Sequence, residues 1–372
     1  MENIYHLLDE REIFSERNGG AISRWAANAL WEGPEVVICP SFDDSWKYSR
    51  DRLYAMPGWA EVGQVHPVLY RLPWIFQKAI YLRIFRQLLA KLKPGDVVYV
   101  HNRPACAAVL AIVAERYGFG VILHMHNSLL LRANRGQREA LRRVPVVYVS
   151  KFLRDETELA FPGHFERTHI VYNGANEQRF CPRTQSGASV TKVIFTGRLV
   201  PYKGVHVLLK AMQILEKQGV EVSCKIVGGS GFGNSKPTRY VRQLRHDPPA
   251  NCELVGYRSG EAFSELLQDA DIFCCPSIWN DPFPLAPLEA MAAGLPVVAS
   301  HVGGLPEALA HGGGILVPPN DADALADAIG SLVRDEGRRK QLGLAARQSV
   351  ERNFCWSNVR AQYLSALQGL ES

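Results

Sequence analysis

The 372-residue chain contains no run of eighteen apolar residues, so nothing in it reads as a membrane-crossing helix. It contains no Cys-x-x-Cys pair. Its eight cysteines, Cys39, Cys106, Cys181, Cys224, Cys252, Cys274, Cys275 and Cys355, are scattered, several of them in strand-like runs. That pattern argues against a disulfide framework or a zinc knuckle and for reduced, buried thiols. Internal repeats and low-complexity tracts are also lacking, which excludes a solenoid or a disordered tail. The opening Met-Glu-Asn-Ile-Tyr-His-Leu-Leu-Asp-Glu is acidic and has neither the basic nor the apolar region of an export signal. The expectation is a cytoplasmic protein.

What is present is enough chain for two cores. The composition, 47% hydrophobic and 21% charged, is that of a soluble globular protein. A net charge of +5 conceals an asymmetry. Between Val62 and Arg154 there are fifteen Lys/Arg against three acids, Asp96, Glu115 and Glu139. Such a field attracts an anionic partner. No nucleic-acid-binding motif accompanies it, so nucleic acid is not the expected partner. An anionic membrane surface or a phosphorylated acceptor is. Within this region Trp74 to Lys93 reads as a loosely amphipathic helix, either facing a core or lying at a membrane interface.

Short apolar runs alternate with helical patterns along both halves. Strands are expected at 4–8, 36–39, 97–101, 121–126, 146–150 and 169–173, with helices at 21–30 and 105–117. After a non-periodic stretch from Arg179 the pattern restarts. Strands are then expected at 192–196, 223–227, 252–255, 272–276, 296–299 and 314–317, and helices at 205–218, 260–268, 287–293 and 322–334. Continuous apolar strands separated by helices imply parallel sheets covered on both faces. The fold class is therefore α/β, with two doubly wound, Rossmann-like domains at 1–182 and 183–356. Ligands of such sheets bind at the carboxyl ends of the strands. The glycine-rich turn at 228–233 fails the dinucleotide-binding pattern, because its third glycine comes one position early.

The chemistry-bearing residues cluster after strands. Asp281-Pro-Phe-Pro-Leu-Ala-Pro-Leu-Glu289 sets two carboxylates eight residues apart, the first in a proline-rich loop. The sequence puts Pro287 at a first helical position and Glu289 in the first turn, with Gly294 and Pro296 ending the helix. A helix N-terminus offers amides to an anion, and the acids accept hydroxyl hydrogen bonds. Phosphate plus hydroxyls is what a nucleotide-sugar presents. The plainer reading is a solvated loop acid and a helix acid favoured by the dipole. Upstream, Gly197-Arg198-Leu-Val-Pro-Tyr-Lys203-Gly204 follows a strand, and its two cations can both reach a diphosphate. The alternative there is a pair of surface cations.

With these motifs the chain resembles the retaining glycosyltransferases of family 4, whose fold is GT-B. Gly19-Gly20, His126, Ser150, Asn173-Gly174, Gly228, Ala270-Asp271, Pro276-Ser277 and Gly303-Gly-Leu-Pro-Glu307 fall in the same order. The resemblance implies two domains facing across a cleft, with a C-terminal helix at 357–370 packing back on the first. It implies that Glu289 binds the ribose hydroxyls and Asp281 the donor sugar. Arg198 and Lys203 would hold the diphosphate, and His126 would lie beside the sugar. Gly19, Gly20, Gly197 and Gly228 would approach the donor, and Tyr257 would meet the base. His101 and Asn102 would line the acceptor side.

Two departures stand out: Asp281 occupies a position usually held by Glu, and Pro284 one often held by Gly. Proline has no N–H, so donor amides are left to Phe283, Leu285 and Ala286. No cofactor and no metal are expected, the co-substrate being a nucleoside-diphosphate sugar. The pair His124 and His126 on one strand face invites a zinc reading, but no further ligand lies close to it in sequence. The acceptor is expected to be a glycan or a lipid-linked molecule. An epimerase of related fold and a binder without turnover remain as alternatives.

Overall fold

A computed structural model of the protein describes residues 3–15, 20–31, 33–43, 48–69, 71–182, 190–231 and 236–369, without the side chains of 63–67. The chain forms two compact units. One is Met1–Tyr172 together with Arg360–Ser372, and the other is Asn173–Val359. Residues 183–189, in the stretch expected to link the domains, lie outside the described residues.

The strands of the first unit are β1 (Ile4–Leu7), β2 (Ile13–Phe14), β3 (Val36–Cys39), β4 (Ser41–Phe42), β5 (Leu53–Ala55), β6 (Val97–His101), β7 (Gly120–Met125), β8 (Val146–Tyr148) and β9 (Thr168–Ile170). Seven of them form a parallel sheet in the order β5-β3-β1-β6-β7-β8-β9, and β2 pairs with β4 separately. β6 reads Val-Val-Tyr-Val-His and is buried throughout, as a strand covered on both faces must be. The helix Pro104–Tyr117 follows it, opened by Pro104 and closed by Gly118 in the left-handed conformation. The order reverses direction at β1 and β6, where a doubly wound sheet opens its ligand crevice.

The second unit holds β10 (Thr191–Thr196), β11 (Val222–Val227), β12 (Cys252–Gly256), β13 (Ile272–Cys275), β14 (Val297–Ser300) and β15 (Gly314–Val317), all parallel, in the order β12-β11-β10-β13-β14-β15. Val193, Phe195, Ile226 and Cys274 on the strands pack with Leu208, Ala211 and Met212 of the helix Val205–Lys217, and with Leu325 and Ile329 of the helix Ala322–Arg334. Here the order reverses at β10 and β13. The fold is thus two parallel-sheet α/β domains, the class read from the sequence; the expected strands fall within two residues of their bounds except that at 169–173, which ends three residues early, at Ile170. Several elements were not expected: the short strands β2, β4 and β5, and the helices Trp59–Leu69, Arg135–Leu141, Lys151–Ala160, Arg239–His246 and Glu336–Ser349.

All eight cysteines are free, and all but Cys252 and Cys181 are buried. The helix Trp74–Leu89 buries Gln77, Tyr81, Phe85, Leu88 and Leu89 on one face. Its other face exposes Ile75, Phe76 and Ile80.

From Arg360 the last helix belongs to the first unit. Arg360 donates to the carbonyl of Ala29 at 2.8 Å and pairs with Glu35 at 3.2 Å, where Glu35 is 2% exposed. Tyr363 is fully buried and its hydroxyl lies 2.9 Å from His6 Nε2. Removing one partner of a buried pair strands the other charge. Arg360→Ala is therefore expected to destabilise the first unit by about 3 kcal/mol. Arg360→Met combined with Glu35→Gln should recover most of that loss. Urea unfolding followed by tryptophan fluorescence measures both; equal midpoints for wild type and Arg360→Ala would refute the assignment.

Candidate active site

The loops leaving β10 and β13 flank the strand reversal of the second unit, and they carry three of the charged residues singled out from the sequence. Lys203, in the 3₁₀ turn Pro201–Lys203 after β10, donates to Asp281, which follows β13. Both side chains are largely buried, at 18% and 11% exposed. Burial works against the Lys203 charge, but Asp281 and then Cys275 outweigh it, so its pKa is raised above the ordinary lysine value. The ammonium therefore stays charged at neutral pH. Arg198 is exposed and donates to the Tyr202 hydroxyl at 2.7 Å. It lies near enough to oppose the Lys203 charge. Two repelling cations, one buried and one exposed, form a place where an anion lowers the energy of both.

Backbone contacts hold this corner together. Gly228, after β11, packs so tightly on Gly197 that a Cβ would sit 1.8 Å from the Gly197 carbonyl oxygen. Gly303, after β14, has φ +57° and presses on Asp281, where a Cβ would lie 2.1 Å from the Asp281 carbonyl oxygen. Gly304 N–H donates to that same oxygen at 2.8 Å. Asn173 Nδ2 donates to the Phe283 carbonyl at 2.6 Å in a buried bond. The sequence marked Asn173 and Gly303 only as motif pieces; their work is to fix the 281–283 segment.

The following helix runs Leu285–Ala292 with Pro284 as its N-cap. This corrects the sequence reading. Pro287 is the third helical residue, not the first, and Glu289 lies one turn in. The helix starts early because Pro284, in extended conformation, already hands over a suitable direction, and a proline at a third position gives up an N–H with no intrahelical acceptor. Leu285 and Ala286 consequently occupy the first turn, whose amides have no partner inside the helix. Glu289 is buried, at 7% exposed. Tyr257 is half-buried just past the edge strand β12. Among the predicted donor residues, Lys203 and Asp281 are bonded to each other. Gly197 and Gly228 are in contact, and Phe283, Leu285 and Ala286 are contiguous.

In the first unit, Gly19 lies outside the described residues. Gly20 caps the helix Ala21–Ala29, but its N–H donates to Glu12 Oε1 at 2.7 Å, and Ser23 N–H donates to the same oxygen at 2.9 Å. Burial raises the Glu12 pKa, against the stabilising bonds from Ser23 and Gly20. The helix end expected to approach the donor thus already holds a carboxylate of its own chain, eight residues before Gly20. Nothing in the spacing announced that.

His101 ends β6, and His126 follows β7. His101 Nδ1 lies 3.0 Å from His126 Nε2, and His101 Nε2 lies 3.0 Å from His6 Nδ1. Burial lowers the His126 pKa to about 3, and burial followed by Arg360 and Arg52 does the same for His6. Asn102 takes φ +59°, a conformation rare outside glycine, and its Oδ1 accepts from the His126 N–H at 3.2 Å. The strain sets His126 at the strand end. His101 is fully buried, so it shapes this end of the sheet through His126.

Residues 32–179 match the family Glycosyltransferase Family 4, and residues 182–349 match Glycosyl transferases group 1. Spore coat protein SA of Bacillus subtilis strain 168 is 29% identical over 297 residues, 73% of this chain and 78% of that protein. Sucrose-phosphate synthase from Thermosynechococcus elongatus has the same fold, with a TM-score of 0.77 at 21% identity over 99% of each chain. HepE of Anabaena, solved in complex with UDP and glucose, gives a TM-score of 0.73 at 20% identity, over 99% of this chain and 100% of that one. With the two family matches running in succession along its two parallel-sheet domains, the chain belongs to glycosyltransferase family 4 and has the GT-B fold.

Proposed function

We propose that the protein is a retaining, metal-independent glycosyltransferase that moves a hexose-like unit from a nucleoside-diphosphate sugar to an acceptor hydroxyl. The observation that carries this reading is the Lys203–Asp281 pair, set beside Arg198 and the start of the helix Leu285–Ala292. A diphosphate needs fixed positive charge that water does not screen. Buried Lys203, exposed Arg198 and the first-turn amides of Leu285 and Ala286 supply it without a divalent cation. Glu289 accepts from the ribose hydroxyls and Asp281 from the sugar; a carboxylate already receiving Lys203 on one oxygen can accept on the other. HepE, named as a complex with UDP and glucose, is a relative in fold whose ligands are of this class.

Charge develops on the leaving phosphate as the anomeric C–O bond lengthens, and Arg198 and Lys203 stabilise it. The acceptor oxygen forms its bond to the anomeric carbon on the same face, and its proton passes to the departing phosphate oxygen. Asp281, tied down by Lys203, makes a poor covalent nucleophile, which favours this front-face course over a glycosyl-enzyme intermediate.

The basic surface of the first unit points to an anionic acceptor, a phosphorylated glycan or a lipid-linked one. The setting we propose is surface polysaccharide, lipopolysaccharide or glycolipid assembly, with the protein in the cytoplasm and peripheral on the membrane. Ile75, Phe76 and Ile80 are exposed on one helix face with Arg83 and Arg86 beside them, the composition of an interfacial helix.

Release of nucleoside diphosphate across UDP-, GDP- and ADP-sugars, with EDTA present, tests the chemistry. One donor is expected to be turned over. Arg198→Ala should lower kcat by roughly 10²–10³-fold, the usual scale for losing a charge-stabilising donor. Glu289→Ala should act mainly through KM for the donor. Turnover that disappears with EDTA and returns with magnesium would overturn metal independence.

Flotation with anionic vesicles tests the membrane reading. Binding is expected at low ionic strength, falling with added salt and falling roughly tenfold in Phe76→Glu from the loss of one buried aromatic. Vesicles that float without the protein at low salt would end it.

A further inference from the structure

We infer that the first unit contains a transition-metal site, of a kind suited to zinc, formed by His101, His124 and His126. One ring nitrogen from each lies within 4.8 Å of the others. His101 and His124 are opposite one another in the parallel register of β6 and β7, and His126 follows two residues on. His101 Nδ1 and His126 Nε2 are 3.0 Å apart, close to the edge of about 3.3 Å that a tetrahedral ion requires at ordinary Zn–N distances. A bound ion would draw in the His124 ring nitrogen, which lies within 4.8 Å of the other two.

The second observation is His124 itself. It is fully buried, and neither ring nitrogen has a hydrogen-bond partner among the described residues. A neutral imidazole carries one N–H and one lone pair, and leaving both unmet in a dry interior costs far more than an average core contact. Trp25 stands edge-on to this ring at 4.9 Å and His126 lies 4.1 Å from it, centroid to centroid. A cation bound at the lone pair accounts for a histidine kept here, where an apolar residue would pack as well.

The surroundings are those of a ligand set. Coordination takes the neutral imidazole, whose lone pair is the ligand. With His101 bound through Nδ1, its Nε2–H donates to His6 Nδ1 at 3.0 Å, and His6 Nε2–H donates to the Tyr363 hydroxyl at 2.9 Å. Metal-bound histidines are held by such outer hydrogen bonds. No proton need leave, because binding selects one tautomer along the chain. The fourth position is left to water. Imidazole alone suits zinc, copper, nickel and cobalt, not magnesium or calcium.

The test uses the full chain, stripped with chelator and titrated with zinc against a chromophoric competitor. One equivalent is expected to bind to wild type and to His206→Ala, a substitution outside the site. Binding should weaken at least a hundredfold in His124→Phe and in His101→Phe. Cobalt(II) added to wild type should give the intense visible bands of a tetrahedral nitrogen site, a readout that does not depend on any variant folding. Absence of stoichiometric zinc, unaltered binding in a folded His124→Phe, or an octahedral cobalt spectrum would each overturn the inference. Turnover in EDTA is measured separately, so its failure and the failure of the metal site are told apart.

Discussion

The ion pair between Lys203 and Asp281 is the contact on which the second unit's candidate site depends. It ties a loop that leaves β10 to one that leaves β13, neighbouring strands on either side of the point where the sheet reverses its order. The second loop is anchored from other directions as well. Gly303 and Gly304 bear on the Asp281 backbone, and Asn173 grips the carbonyl of Phe283. The pair thereby fixes Asp281 four residues before the helix Leu285–Ala292 begins. Breaking a pair this little exposed costs on the order of 3–5 kcal/mol. Anchors of that size let a loop carrying Pro276, Pro282 and Pro284 behave as part of the scaffold.

The sheets were legible because burial on both faces leaves a simple mark. Val-Val-Tyr-Val-His of β6 and Ile-Phe-Cys-Cys of β13 contain no polar interruption. β5 left no such mark: Leu53–Ala55 is a three-residue edge strand, half-exposed. The helix Lys151–Ala160 reads as a polar string and buries only Leu153 and Thr157. Contacts at long range were the harder matter. The closeness of Lys203 and Asp281 was not readable from residues 78 apart, although each had been singled out on its own motif. Pro287 was misplaced because two prolines compete to open one helix, and local propensity does not say which wins. The joining of His6, His101 and His126 depends on strand register, and spacing along the chain does not contain it.

Buried ionisable side chains are handled in two ways. The second unit keeps a lysine charged in a nearly closed setting by giving it an acid. In the first, burial strips four histidines of charge, and His6, His101 and His126 bond to one another as neutral rings. A cation field belongs to phosphate chemistry. A run of neutral imidazoles offers lone pairs instead, the form in which histidine coordinates a metal.

The carboxylate of Glu12, seated on the amides of Gly20 and Ser23, bears on affinity. A helix end that supplies its own anion is never empty, so any external anion arriving there takes part in an exchange and not a simple association. Its apparent dissociation constant is the intrinsic one divided by the fraction of molecules in which the carboxylate has swung away. If that fraction is about one in a hundred, affinity falls about a hundredfold, and protonating or shortening residue 12 restores it. Weak binding of a phosphate-bearing molecule to the free protein then measures the grip of an internal rival, and says little about the quality of the contacts that replace it.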